Sequence, residues 1–417
     1  MSTGETPFRW RSVAVVVFLP SIVFSTGSLA LVPVIPALAR DLGTDLGGAA
    51  FIAALLVVGN LAGDIPSGAI VARLGERTSM IAASVLSLVG VLLALIAGHP
   101  AMLAVGILLV GVATAAFGLA RHAFMTSFVP LQYRARALST LGGSHRLGAV
   151  AGPFAGAALL ALTGNPESVL IFHAGCAVVA IVILLLFRDP EAGEPVARAG
   201  GREVHTEAVS LWATLAASRA VLVRIGIGSA ILAGLRQVRS VVLPVWAASI
   251  GLDDTTTSVV IGLAGAVDFS LFFLGGWIMD RFGRLWVLLP CVFGLGAGFL
   301  ALSLTHDLDA RFGWFVGLAL VIAVANGIGS GVLMTLGADL ADPRNPAPFL
   351  GAWRFTNDTG GALLPLAVTA ITAAASLSVA VGAVGVLGIV GGIVLRVFVP
   401  RYVSSRPGQA RPGQAQD

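Results

Sequence analysis

Runs of about twenty consecutive apolar residues recur along the whole of this chain, and each is long enough, at ~1.5 Å per helical residue, to cross the ~30 Å apolar core of a bilayer. The strands of a membrane barrel would be short and would alternate in hydrophobicity, which these runs do not. Only 11% of the 417 residues are charged and 57% are hydrophobic, whereas soluble domains carry about a quarter charged residues. An all-α membrane protein is therefore expected. Twelve spans can be marked, beginning near Ser12, Ala49, Thr78, Ala101, Ala137 and Ser168, then near Ala220, Thr256, Leu285, Phe312, Ala347 and Leu377.

The polar remainder sets the layout. RDPEAGEPVARAGGREVHTEA (Arg188–Ala208) is charged, rich in Gly and Ala, and without apolar periodicity, so it reads as a loop joining two halves. VSLWATLAAS (Val209–Ser218) has the composition of a short interfacial helix, and the repeat-bearing tail RPGQARPGQAQD that of a disordered segment. The expected organisation is a six-helix bundle over 1–187, a linker over 188–219, a second six-helix bundle over 220–400 and a tail over 401–417. All 25 basic residues are arginine. They concentrate at the termini, the linker and alternate bends, with Arg40 and Arg311 on the opposite side. The positive-inside rule then places both termini and the linker in the cytoplasm, with the chain in the cell's inner (plasma) membrane. A sequence pI near 10 does not imply a nucleic-acid partner, because the arginines are scattered between apolar runs and form no basic face. The N-terminal segment lacks a small-residue cleavage site and reads as a tail before a retained first helix. Cys176 and Cys291 lie in apolar runs and read as packing residues; no metal spacing or cofactor motif is present. The absence of a GxxxxGK[ST] loop argues against ATP-driven pumping.

The halves resemble one another. GAIVARLGER (Gly68–Arg77) follows the second span and GWIMDRFGR (Gly276–Arg284) the eighth. Arg146 precedes Pro153 by seven residues in the fifth span, and Arg354 precedes Gly361 by seven in the eleventh. Such internal repeats recur in secondary transporters. GWIMDRFGR resembles the Gly-x-x-x-Asp-Arg-x-Gly-Arg signature of the major facilitator superfamily, with Gly276, Asp280, Arg281, Gly283 and Arg284 matching position for position. Gly68, Arg73, Gly75 and Arg77 match in the first half, where Ala72 replaces the acidic residue and Glu76 a basic one. The resemblance implies two pseudo-symmetric six-helix bundles, with these turns acting as gates whose charges pair with neighbouring helix ends. Gly148, Gly152, Pro153 and Gly156 are similar to the fifth-helix motif of the family's proton-coupled antiporter branches, which implies export of drugs or metabolites; tight packing of a small-residue face is the competing reading. An arginine that the family often carries early in the fourth helix is absent, and Arg121 lies later in that span.

Charges within spans carry the chemistry, because an ionisable group there costs several kcal/mol (at least ~2.5–3.5) unless it faces a cavity or a partner. Arg121, Arg146, Arg236, Arg239 and Arg354 accompany only Asp64, Asp268 and Asp358. Distance from the nearest bend puts Asp64, Arg121 and Arg146 at one depth, and predicts a proton-coupling cluster in the first half. Apolar surroundings favour a protonated Asp64 and a neighbouring guanidinium favours the charged form. Asp64 is thus either a proton carrier or one member of a fixed salt bridge. In the second half, Arg236, Arg239, Asp268, Asn326, Trp353, Arg354, Asn357 and Asp358 are the expected substrate-binding set, in which surplus arginines suit an oxyanion. The expected function is a monomeric proton-coupled transporter exporting a small amphiphilic or anionic organic compound. Proton-coupled import of an organic anion and a transport-inactive receptor on the same fold are the alternatives.

Overall fold

The computed structural model describes residues 17–128, 131–186, 216, 218–341 and 346–402. Within them the chain is nearly all helix. Span 1 is the bent pair Leu19–Ala30 and Ile35–Asp41, broken where Pro33 and Pro36 interrupt the backbone ladder. Spans 2 to 6 are Leu46–Leu74, Glu76–Leu95, Pro100–Phe128, Leu131–Thr163 and Glu167–Leu186. Span 7 covers Arg219–Ser249; spans 8 and 9 are Asp254–Phe282 and Leu285–Ser303. Span 10 consists of Arg311–Ile328 and Val332–Leu340, interrupted at the Gly329-Ser330-Gly331 break, and spans 11 and 12 are Pro346–Ala374 and Leu377–Tyr402.

The apolar runs become helices because a bilayer offers no water to an unpaired peptide group, and a helix satisfies its own backbone. Ten of these helices are long and apolar enough to cross a membrane, and the bent pair of span 1 makes an eleventh. Span 11 has the length, at 29 residues, but Arg354, Asn357 and Asp358 make its first half polar. The expected starts fall close to those observed. Span 5 begins earlier, at Leu131, because its polar first turns are helical outside the apolar run. The start expected near Ser12, the linker sequence Arg188–Ala208, residues 209–215 and 217 of the expected interfacial helix, and the tail from residue 403 lie outside the described residues.

Two bundles result, spans 1–6 and spans 7–12, and they meet chiefly along span 5 against span 8 and span 2 against span 11. The repeat extends to single residues. Asp45 caps span 2 by accepting from the Gly48 amide (2.8 Å), and Asp253 caps span 8 by accepting from Thr256 (2.7 Å). Those same hydrogen bonds hold the Asp253 carboxyl below the usual carboxylate range. At the other end of each helix the turn needs a backbone conformation open to glycine, at Gly75 (φ 78°) and Gly283 (φ 99°). Each pair is separated by the same 208 positions.

Contacts between the bundles cluster at the end opposite the linker, hereafter the far end. There Arg40 donates to the Ala248 carbonyl (3.2 Å) across the repeat, at positions again 208 apart, and Gly47 lies against Ala373. Near mid-depth, Phe154 lies against Gly262 and the Ala149 carbonyl against Gly265. Toward the linker end, the larger cavity described below lies between the bundles.

The glycine face of span 5 packs within the first bundle. A Cβ at Gly148 would stand 2.5 Å from the Ser25 Cβ, and one at Gly152 2.6 Å from the Thr26 carbonyl oxygen, so span 1 needs both glycines to approach. Gly156 is less crowded, 3.4 Å from the Ala30 carbonyl oxygen. Gly152→Leu is expected to lower the unfolding temperature of the purified protein, since overpacking of this kind costs ~1–3 kcal/mol. Gly175→Leu, where a Cβ meets open space, should leave it unchanged. Equal effects of the two would contradict the seam.

Candidate functional site

Asp268, buried near the middle of span 8, gathers groups from three other spans. Its Oδ2 accepts from Arg239 of span 7 (3.0 Å) and from Asn326 of span 10 (2.7 Å), and its Oδ1 lies 3.6 Å from Arg146 of span 5, in the other bundle. Arg146 also donates to Ser330 Oγ (3.0 Å) and stacks on Phe272, with its guanidinium carbon 4.2 Å from the ring centre. Arg236, one turn from Arg239, donates to the Gly329 carbonyl (2.6 Å) and lies 3.5 Å from Cys291 Sγ. The break in span 10 thus presents a carbonyl, which also accepts from the Val332 amide (3.2 Å), and a hydroxyl, and two arginines donate to them. Sequence reasoning did not select Gly329, Ser330 or Phe272. The signal was present in the run Gly327–Gly331, which no uninterrupted apolar helix would favour.

A second charged group lies nearer the linker end. Arg354 of span 11 donates through Nη2 to Asp64 of span 2 (3.3 Å) and through Nε to Asp358 (3.4 Å), one turn along its own helix. Two carboxylates therefore share one guanidinium, and one of the two ion pairs crosses between the bundles. These residues line a cavity of about 510 Å³ together with Asn60, Arg236, Gln237 and Asn357 on its polar side and Leu61, Leu333, Met334 and Trp353 on its apolar side. A smaller cavity of about 120 Å³ lies beside Arg146, Arg239 and Asp268, walled by Leu29, Val32, Pro153, Leu243 and Pro244.

The expected cluster of Asp64, Arg121 and Arg146 is not formed. Equal depth placed the three together, but depth does not say which face of a helix they occupy. Span 2 turns Asp64 toward span 11, and span 5 turns Arg146 toward span 8. Arg121 is buried inside the first bundle; its Nε has no hydrogen-bond partner, and no carboxylate among the described residues lies within 4.0 Å of it. His145, beside Arg146, points instead to Ser25 Oγ (3.3 Å). Trp353 lines the larger cavity but donates its indole NH to the Leu333 carbonyl (2.9 Å), and Asn357 donates to the Trp353 carbonyl (2.9 Å). Asn326 holds Asp268 rather than standing free.

The family model of the Major Facilitator Superfamily matches residues 17–347 and 225–416. The chain belongs to the major facilitator superfamily. Among solved structures, a D-xylose-proton symporter is similar with a TM-score of 0.72 at 14% identity, over 96% of this chain and 99% of that one. A peptide transporter POT in complex with sulfate gives 0.75 at 13% identity, over 96% of each chain. The xylose transporter XylE from E. coli, in a partially occluded inward open conformation, gives 0.67 at 15% identity, over 94% of this chain and 99% of that one. No curated protein matches the chain in sequence. Family membership and fold make this chain a multi-pass membrane transporter and not an enzyme.

The family's turn motifs divide into engaged and unengaged charges. Arg284, at the head of span 9, grips Asp339 at the end of span 10 (2.7 and 3.3 Å). Arg77 donates to the carbonyls of Leu184 (2.6 Å through Nε) and Leu185 (3.3 Å) at the close of span 6, where a cation also suits the helix dipole. Arg73 and Asp280 are exposed and have no ion pair among the described residues, while Arg281 lies over Trp277 and Phe282 (5.9 Å to each ring centre). Gly68 and Gly276 face open space. Asp280 therefore makes no latching ion pair among the described residues.

A double-mutant cycle separates the two arrangements of Asp64. Asp64→Asn and Arg354→Gln should be coupled by ~0.5–1 kcal/mol in thermal unfolding, at the low end for contacting residues because Arg354 is half open to the cavity. Asp64→Asn with Arg121→Gln should be additive. Coupling to Arg121 in place of Arg354 would overturn the placement.

Proposed function

We propose that this transporter works by alternating access coupled to protons, with Asp64 as the carrier, and that it exports a small amphiphilic or anionic organic compound. The observation carrying the reading is the ion pair between Asp64 and Arg354, set in an open cavity and joining span 2 of one bundle to span 11 of the other. A proton arriving at Asp64 discharges this clasp, and leaves Arg354 with Asp358 alone. Loss of the proton restores it. Motion of the bundles and occupancy of the cavity are thereby linked to one titrating oxygen. Asp64 suits this role better than Asp268 because its side chain is 28% exposed against 11%. Asp268 is also held by three partners where Asp64 has one. Arg121 and Arg146 were expected to tune the proton site directly; in this arrangement Arg354 takes that role.

The positive-inside pattern supports a cytoplasmic linker end with both termini cytoplasmic, a plasma-membrane location and a state open toward the cytoplasm. The division at 1–187, 188–219, 220–400 and 401–417 and the monomeric state belong to the same reading. Import of an organic anion with protons is the second reading, favoured by the structural neighbour named a D-xylose-proton symporter.

In proteoliposomes carrying an internal pH dye, an imposed solute gradient is expected to drive proton flux, with the sign of the pH change giving the direction. Asp64→Asn should abolish solute-driven proton movement while leaving solute exchange measurable. Wild-type pH dependence in that variant would remove Asp64 from the mechanism. A solute-independent wild type would remove transport itself.

A further inference from the structure

We infer that Asp268 is a built-in counter-anion occupying the place of the substrate's carboxylate between Arg146 and Arg239, and that the substrate is an amphiphilic monocarboxylate. The inference rests on the transporter reading above and names the substrate class for its cavity. Three guanidiniums, Arg146, Arg236 and Arg239, converge on this region, and Asp268 is the one carboxylate within 4.0 Å of any of them among the described residues. Their mutual repulsion is thus only partly relieved. The polar valences here are also unfilled: Asp268 Oδ1, Arg239 Nη1, Arg236 Nε and Asn326 Oδ1 are all buried without a hydrogen-bond partner. Buried polar groups left in that state mark either strain or a missing partner. The unfilled arginine atoms are donors, and their partner is an acceptor with negative charge.

The cavity shapes specify what that acceptor is attached to. Arg239, Arg146 and Asp268 line a space of about 120 Å³ whose other walls are mainly aliphatic and proline side chains, with Phe269 and the Ser240 hydroxyl among them. It admits a carboxylate and a few carbons but no drug-sized body, whose sites run ~300–1,000 Å³. One turn away, Arg236 lines the larger cavity of about 510 Å³, which is within that range and has an apolar wall of its own. The two spaces share no lining residue but are bordered by Arg239 and Arg236, one turn apart on span 7. On this inference the anionic head sits at Arg239 and Arg146 and the apolar body extends past Arg236 toward the larger cavity. Arginine's fork matches a planar carboxylate through two parallel hydrogen bonds. Asp268 already satisfies part of that geometry, so it competes with an incoming acid for the arginines and offsets their mutual repulsion when the site is empty. The larger cavity's own charges, Asp64, Asp358, Arg236 and Arg354, are balanced in number, so the anion preference arises at Arg146 and Arg239. Because Arg146 belongs to one bundle and Arg239 to the other, a bound carboxylate bridges the halves as Asp268 does now.

The test uses the full-length protein in detergent with 4-phenylbutyrate, 4-phenylbutyramide and a phenylalkyl trimethylammonium as probes, read by thermal shift and titration calorimetry. The acid is expected to bind and raise the melting temperature of the wild type, while the isosteric amide and the ammonium leave it unmoved. Asp268→Asn, which removes the competing charge, should tighten acid binding about tenfold. Arg239→Gln should abolish it. Equal shifts from acid and amide, or unchanged acid affinity in a folded Asp268→Asn protein, would overturn the inference. If Asp268→Asn does not fold, the acid-to-amide comparison and Arg239→Gln decide alone. Acid binding without solute-driven proton flux in vesicles would leave this site standing and remove the transport reading. Proton flux driven by a cationic solute, with no acid binding, would do the reverse.

Discussion

A guanidinium inside a bilayer finds no water to solvate it, and its charge is lost only at extreme pH, so the protein must bring something negative or polar to each one. Much of the interior of this molecule is arranged around that requirement. Span 10 breaks its regular helical ladder between Gly329 and Gly331, and the carbonyl and hydroxyl presented there meet Arg236 and Arg146. Asp268 is buried where it can serve two arginines from opposite bundles, and Asn326 is oriented to it. Arg354 draws two carboxylates from two helices. Arg121 alone among the five makes neither an ion pair nor a hydrogen bond with any described residue, whereas Arg236, which also lacks a carboxylate, at least donates to the Gly329 carbonyl.

Internal duplication then repeats this requirement in both halves. The caps at Asp45 and Asp253 and the turns at Gly75 and Gly283 keep a single offset, so span 2 corresponds to span 8, and span 5 to span 11. In each pairing the acid on the second helix of one half meets an arginine on the fifth helix of the other. The two ion pairs are not copies: by that offset Asp268 corresponds to Asn60, one turn farther from the linker end than Asp64. This shift places one pair deep between the bundles, where partners crowd it, and the other in the open cavity. A symmetric frame thereby carries an asymmetric charge pattern, in which one ion pair borders an open cavity and the other is buried among several partners.

The fold was legible in the sequence because membrane insertion is read from local composition: run length, the placement of arginine at alternate bends and the repeated turn signals all survive without knowing any contact. The glycine face of Gly148, Gly152 and Gly156 was legible for the same reason, since small residues at helical spacing announce a close neighbour, although not that the neighbour is span 1. The proton cluster was misjudged because similar depth was available from the sequence and helix azimuth relative to neighbours was not. Asp64 and Arg146 lie at comparable distances from their bends, yet the packing of the bundles turns each toward a different span of the opposite half.

By itself, then, the sequence determined which residues cross the membrane, that two repeats make the whole, and that more arginines than acids would have to be accommodated in the interior. These are properties of one helix at a time or of a simple count. Only the tertiary structure decided which acid answers which arginine, that the break in span 10 supplies neutral partners, and that both decisive ion pairs run between the bundles. Pairing energy in a low-dielectric interior depends on distances of a few ångströms between side chains far apart in the chain. Those distances come from the rotation of each helix about its axis, which neighbouring helices set.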